Sequence, residues 1–172
     1  SSPINITAAV VHPETFQKLQ AHLALNKCTN VTAVNKGLGE RVADILLVED
    51  EGNSGGNRIE AGATAGIKVS VTTTDKFAEE SNLLAVNLMK IDVEGFEYRV
   101  LLGSKSVLSK FRPTLFIELN DSFLKRNGDS AKKFVEFLEL SNYKITIAET
   151  GKRIGSSFEF EGKHFDIIAR PE

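Results

Sequence analysis

Val86-Asn-Leu-Met-Lys90-Ile-Asp92-Val-Glu94-Gly95-Phe-Glu97 is the stretch on which the fold reading turns. Val86 to Val93 is nearly continuous in apolar residues, as a buried parallel strand should be. Asp92 and Glu94 then stand two residues apart at its carboxyl end, and Gly95 permits a sharp backbone turn. A helix is predicted from about Glu97 to Lys110. Val100, Leu101, Val107, Leu108 and Phe111 supply its inner face, and Pro113 stops it. Thr114 to Leu119 (TLFIEL) reads as the next buried strand. Strand, turn, helix and strand in succession are the unit of a parallel α/β sheet.

The same rhythm extends in both directions. Toward the N-terminus, Asn5 to Val11, Asn30 to Val34 and Val42 to Val48 read as strands. Pro13 opens a helix with Phe16, Leu19, Leu23 and Leu25 as its apolar stripe. Residues 49–66 have a glycine-rich loop composition. Ile67 to Thr73 alternates like a strand with one wet face. Thr74 or Asp75 caps a short helix containing Phe77 and Leu83. Toward the C-terminus, Ala131 to Leu140 is an amphipathic helix with Phe134, Phe137 and Leu138 inside. Tyr143 to Ala148 and His164 to Ala169 form an antiparallel terminal pair around a hairpin-like excursion, Gly151 to Gly162, with Phe158 and Phe160. The expectation is one α/β domain over residues 1–172, mostly parallel, with helices on both faces.

Composition narrows the function classes. The 172 residues suffice for one cored domain. The net charge of −2 gives no basic footprint for nucleic acid. No apolar run approaches the ~20 residues that cross a bilayer, and the N-terminus does not read as a signal peptide. A single cysteine, Cys28, cannot form an internal disulfide, so a cytoplasmic location is expected. The sequon-like triplets at Asn5, Asn30 and Asn120 are read as chance matches.

Four places carry candidate chemistry. Asp92 and Glu94 stand at the carboxyl edge of a strand, where open α/β sheets bind ligands, while Glu97 complements a helix dipole. Glu118 is an acid in an apolar strand and needs a partner or a site. It either joins Asp92 in one crevice or pairs with Arg112 or a lysine. Gly55-Gly56-Asn57-Arg58 either wraps a ligand with backbone N–H groups or forms a plain turn. His12 follows a strand end. With His22 and His164 it has no metal-ligand spacing, so no metal is expected.

Together these segments resemble the FkbM-type S-adenosylmethionine-dependent methyltransferases. The stretches that carry the resemblance are HPETFQKLQAHLALN (12–26), NVTAVNKGLGE (30–40), GGNRI (55–59), VSVTTTDKF (69–77), NLMKIDVEGFEYRVLLGSK (87–105) and RPTLFIEL (112–119). The resemblance implies a Rossmann-like class I sheet with an antiparallel last strand. It implies methyl transfer from S-adenosylmethionine to a hydroxyl of a sugar or other small molecule. By position, Asp92 and Glu94 match the acids at the cofactor and substrate edge. Asn35, Lys36, Gly37 and Leu38 match the loop against the adenine, His12 adjoins the cofactor, and Gly55, Gly56, Asn57 and Arg58 lie on the substrate side. Asp92, Glu94 and Glu118 are the candidate bases.

Two positions depart from the family pattern. The first strand and its glycine-rich turn should precede Asn5, and no glycine precedes Gly37. The acid that grips the ribose is replaced by Val10. The expected sheet therefore lacks its first strand: it closes up, takes a strand from another chain, or belongs to a fragment, with closure or a partner strand expected and a homo-oligomer a possible state. The rival expectation is a truncated or degenerate, non-catalytic Rossmann-like domain acting through binding or oligomerisation.

Overall fold

The computed structural model describes residues 4–48, 58–59 and 66–172. They fall into two compact units, Ser1–Thr72 and Thr73–Glu172.

In the first unit, β1 (Ile6–Ala9) and β2 (Val31–Val34) pair in parallel, joined by α1 (Pro13–Leu25). Pro13 sits in the first turn of α1, where its missing N–H costs no intrahelical bond. Phe16, Leu19 and Leu23 are half-buried, but Leu25 is 79% exposed and does not belong to the stripe. A second sheet has the order β3-β6-β4-β5, from β3 (Gly37–Leu38), β4 (Ala43–Val48), β5 (Arg58–Ile59) and β6 (Ile67–Thr72). β6 keeps the predicted alternation, with Val69 and Val71 buried and Lys68 and Ser70 exposed. β4 runs antiparallel to β6, so this part of the chain is not the parallel sheet that was expected.

In the second unit, one sheet has the order β10-β9-β11-β8-β7. Its strands are β7 (Leu88–Ile91), β8 (Thr114–Asn120), β9 (Tyr143–Ile147), β10 (Arg153–Ile154) and β11 (His164–Pro171). β7 and β8 are parallel, and β11 is antiparallel to both β8 and β9. Three strands thus share a direction, and the last strand reverses between two of them. β8 buries Leu115, Ile117 and Leu119 completely, while Phe116 and Glu118 lie on its other, half-buried face. The apolar run was read as buried on both sides. Period-two alternation instead places Glu118 outside the core. β7 buries only Ile91, and Leu88 is 63% exposed; among the described residues β7 pairs with β8 alone.

The predicted helix after Gly95 is two helices, α3 (Glu97–Leu102) and α4 (Lys105–Phe111), broken at Gly103-Ser104. Ser104 turns its hydroxyl onto the Val100 carbonyl at 2.6 Å, which competes with helix continuation. Asp75, in α2 (Thr74–Glu80), caps the start of α4 by accepting from Ser106 N at 2.9 Å and Val107 N at 2.8 Å. Asp75→Ala is therefore expected to cost about 1–2 kcal/mol, the scale of a lost helix cap, in denaturant midpoint measurements. Asp75→Asn should recover part of it.

α5 (Asp121–Arg126) follows β8 without a loop and was not anticipated. Asn120 caps it, accepting from Phe123 N at 3.3 Å. The fully buried Asp121 accepts from Ala131 N at 3.1 Å, fixing the start of α6 (Ala131–Leu140). Phe134, Val135 and Leu138 of α6 are fully buried, whereas Phe137 is half-buried with its ring edge toward Tyr98. The 151–162 excursion contains β10, and the Phe158 and Phe160 rings meet at a 59° tilt with centroids 5.1 Å apart. Among the described residues, no helix is long and apolar enough to cross a membrane.

Candidate functional site

The turn that leaves β7 is built from two consecutive left-handed residues, Glu94 at φ 52° and Gly95 at φ 96°. Glycine adopts that conformation freely; a glutamate there stores strain of about 1–2 kcal/mol. The turn is braced from two sides. Glu97, almost completely buried, folds its carboxylate back so that Oε1 accepts from Val93 N at 3.1 Å and Gly95 N at 3.0 Å. α5 packs against the other side, and a Cβ on Gly95 would lie 2.6 Å from the Phe123 carbonyl oxygen. Arg99 ties α3 to the end of α5, donating to Asp129 Oδ2 at 3.1 Å and to the Asn127 carbonyl at 3.2 Å. Glu97, read in sequence as complementing a dipole, thus holds the shape of the acidic turn.

The braced turn presents two different carboxylates. Asp92 is paired with Lys90 Nζ at 2.7 Å, both side chains about half exposed. The Glu94 carboxyl is held above the usual glutamate range, first by partial burial, then by the Glu118 and Asp92 carboxylates, with His164 opposing. Ile91 stands opposite Ile117 in the parallel pair, so Asp92 and the Glu94 turn leave β7 beside Glu118, and His164 enters β11 at the same end opposite Asn120.

Glu118 has a partner other than Arg112 or a lysine. Its Oε1 lies 2.7 Å from His164 Nε2. Arg112 is engaged elsewhere, donating to the Ser141 and Asn142 carbonyls at 2.7 Å and 2.8 Å. His164 was not singled out from sequence. The available signal was its position: the first residue of an antiparallel strand falls at the carboxyl end of its parallel neighbours.

The remaining candidates lie in the first unit. His12 is buried at the N-terminal boundary of α1. Asn35 donates to the Val10 and Val11 carbonyls at 2.8 Å and 3.0 Å, linking the chain after β1 to the chain after β2. Lys36 is exposed, and Gly37 and Leu38 form β3, paired with Val71 and Thr72, in place of a free loop. A Cβ on Gly37 would come within 3.1 Å of Val11 and Val71 side-chain carbons, so close packing explains this glycine. Gly55, Gly56 and Asn57 lie outside the described residues, and of Arg58 only its place in β5 is described. Among the described residues, no group of three or more His, Cys, Asp or Glu is arranged to hold a metal ion.

Comparison with known proteins adds family and fold. The model of the methyltransferase FkbM domain matches residues 5–145. The crystal structure of the methyltransferase FkbM from Methylobacillus flagellatus KT is similar at a TM-score of 0.60 and 16% identity, which is a likeness of fold. The match covers 96% of this chain and 36% of that one, so this chain spans about a third of the solved relative's length. The search among curated proteins gave no match.

Proposed function

The chain belongs to the FkbM methyltransferase domain family, and from that premise we propose that it takes part in S-adenosylmethionine-dependent methylation of a hydroxyl on a sugar or other small molecule. The observation that carries the proposal is the gathering of Asp92, Glu94 and Glu118 at the carboxyl edge of β7 and β8, within the family match. The strand order β7-β8-β11-β9, with β11 reversed, supports a Rossmann-like reading of the second unit.

The donor set fits the cofactor in sign and hydrogen-bonding role. S-adenosylmethionine offers ribose hydroxyls and an ammonium, and it is cationic at sulfur. Carboxylates accept from the first two and favour the charge of the third. Asp92 and Glu94 are the residues that would hold it. When bound, the cofactor supplies an electrophilic methyl group. Asp92, kept beside Lys90, serves as a fixed acceptor and orients what it binds. Glu94, whose carboxyl is held above the usual glutamate range by partial burial and by the Glu118 and Asp92 carboxylates, stands beside Asp92 to position what the edge binds. Glu97 keeps both carboxylates in register by holding the turn. A small neutral hydroxyl compound suits this acidic edge better than an anionic acceptor, which three carboxylates repel. With a single cysteine, exposed Cys28, a cytoplasmic location is part of the proposal.

The test is titration of the folded chain with S-adenosylhomocysteine, beside Asp92→Asn. Saturable binding that weakens in the variant supports the proposal. Equal binding by a folded variant removes Asp92 from the site.

A further inference from the structure

In the second unit, His164 stands among the acids of the carboxyl edge. Its Nε2 lies 2.7 Å from Glu118 Oε1. A carboxylate only accepts, so Nε2–H is the donor in this bond and Nδ1 is the ring's other nitrogen. The His164 side chain is 58% exposed and that of Glu118 21%. One edge of the ring is thus fixed by a half-buried acid while the other stays accessible.

The placement follows from the topology. β11 runs antiparallel to β8, so its first residue is carried to the end where β8 finishes and where the Glu94 turn begins. His164 stands opposite Asn120, and Asp166 stands opposite Glu118 on the same face. The charged groups around the ring are therefore Glu118 on β8, Glu94 on the turn after β7, and Asp166 on its own strand, with Lys163 adjacent in sequence.

We propose that His164 is the group that takes the proton from the acceptor hydroxyl, with Glu118 as the positioning residue that fixes its tautomer and ring orientation. The inference rests on the methyltransferase reading above and deepens it. In the step, the acceptor oxygen forms a bond to the methyl carbon. The carbon–sulfur bond breaks with its electron pair passing to sulfur. The hydroxyl proton goes to Nδ1 of His164, and the resulting imidazolium is balanced by the Glu118 carboxylate. No further oxidant, reductant or co-reactant is required. The arrangement is that of a base oriented by a third group.

An ion pair that merely ties β8 to β11 requires a ring protonated at both nitrogens. A proton acceptor requires a bare Nδ1. Histidine-ring NMR of the whole chain, titrated with S-adenosylmethionine and followed in parallel by calorimetry, separates the two. His164→Asn assigns the His164 signals by their loss. The expected result is binding, with a shift of the His164 ring signals and no shift of exposed His22 in α1. The bound state should show Nε2 protonated and Nδ1 bare near neutral pH. Binding with His164 unmoved, or with both ring nitrogens protonated, overturns the assignment of His164 and leaves the proposed function standing. Absence of binding overturns both.

Discussion

Gly95→Ala is expected to lower stability by about 3 kcal/mol or more, from strain at a left-handed position combined with steric overlap. At Gly95 φ is 96°, and the added methyl would meet the Phe123 carbonyl oxygen at 2.6 Å and Asn127 Nδ2 at 2.7 Å. The Phe123 oxygen is backbone and cannot swing aside, so either α5 or the turn must shift. For a chain of this size the loss corresponds to a melting midpoint lower by roughly 6–12 °C. Thermal unfolding followed by circular dichroism measures it. A change under about 1 kcal/mol would show that the turn and α5 are not packed as described.

Glu97→Ala is the second large effect. The substitution leaves the Val93 and Gly95 N–H groups without their acceptor. Unsatisfied buried donors cost about 1–3 kcal/mol each, so a total of about 2–6 kcal/mol is expected. Glu97→Gln keeps an acceptor of the same reach and should cost much less. The pair of variants also carries a pH signature. Burial outweighs the backbone donors and holds the Glu97 carboxyl above its usual range. A group whose folded pKa is raised stabilises fully below its unfolded value, near 4.5, and loses that contribution as pH rises through the folded value. Stability of the natural chain should therefore fall across that window, and Glu97→Gln should flatten the fall. Equal slopes in the two proteins would remove Glu97 as its source.

The sequence reading and the structure agree most closely where local pattern is strong. Pro13 opening α1, the amphipathic α6, the alternation of β6 and the antiparallel meeting of β9 with β11 all follow from local periodicity and punctuation. What failed was the inference from apolar runs to depth. VNLMKIDV and TLFIEL look equally buried as text. Among the described residues β7 pairs on one side and β8 is covered fully on one face only, and neither fact is written in its own residues. The break at Gly103-Ser104 was hidden because Val100, Leu101, Val107 and Leu108 keep an apolar rhythm across it. Only Ser104 bonding back to Val100, and Asp75 restarting α4, separate the two helices.

The site was legible to a similar degree. Asp92, Glu94 and Glu118 were readable because acids stand out beside apolar strands. His164 was not, because its relation to Glu118 depends on strand direction across 46 residues of chain. Glu97 was visible as the acid in the first turn of α3, but its second task, bracing the turn, was not. Its carboxylate turns back over the preceding residues, and only the left-handed pair at Glu94 and Gly95 makes that geometry possible.

The claim at the centre of this account is that the acidic edge after β7 holds a methyl donor. Calorimetric titration of the folded chain with S-adenosylhomocysteine tests it most directly. The prediction is saturable binding that weakens about tenfold to a hundredfold in Asp92→Asn, the scale of a hydrogen bond to a charged group. No binding heat and no thermal shift at millimolar ligand would contradict it.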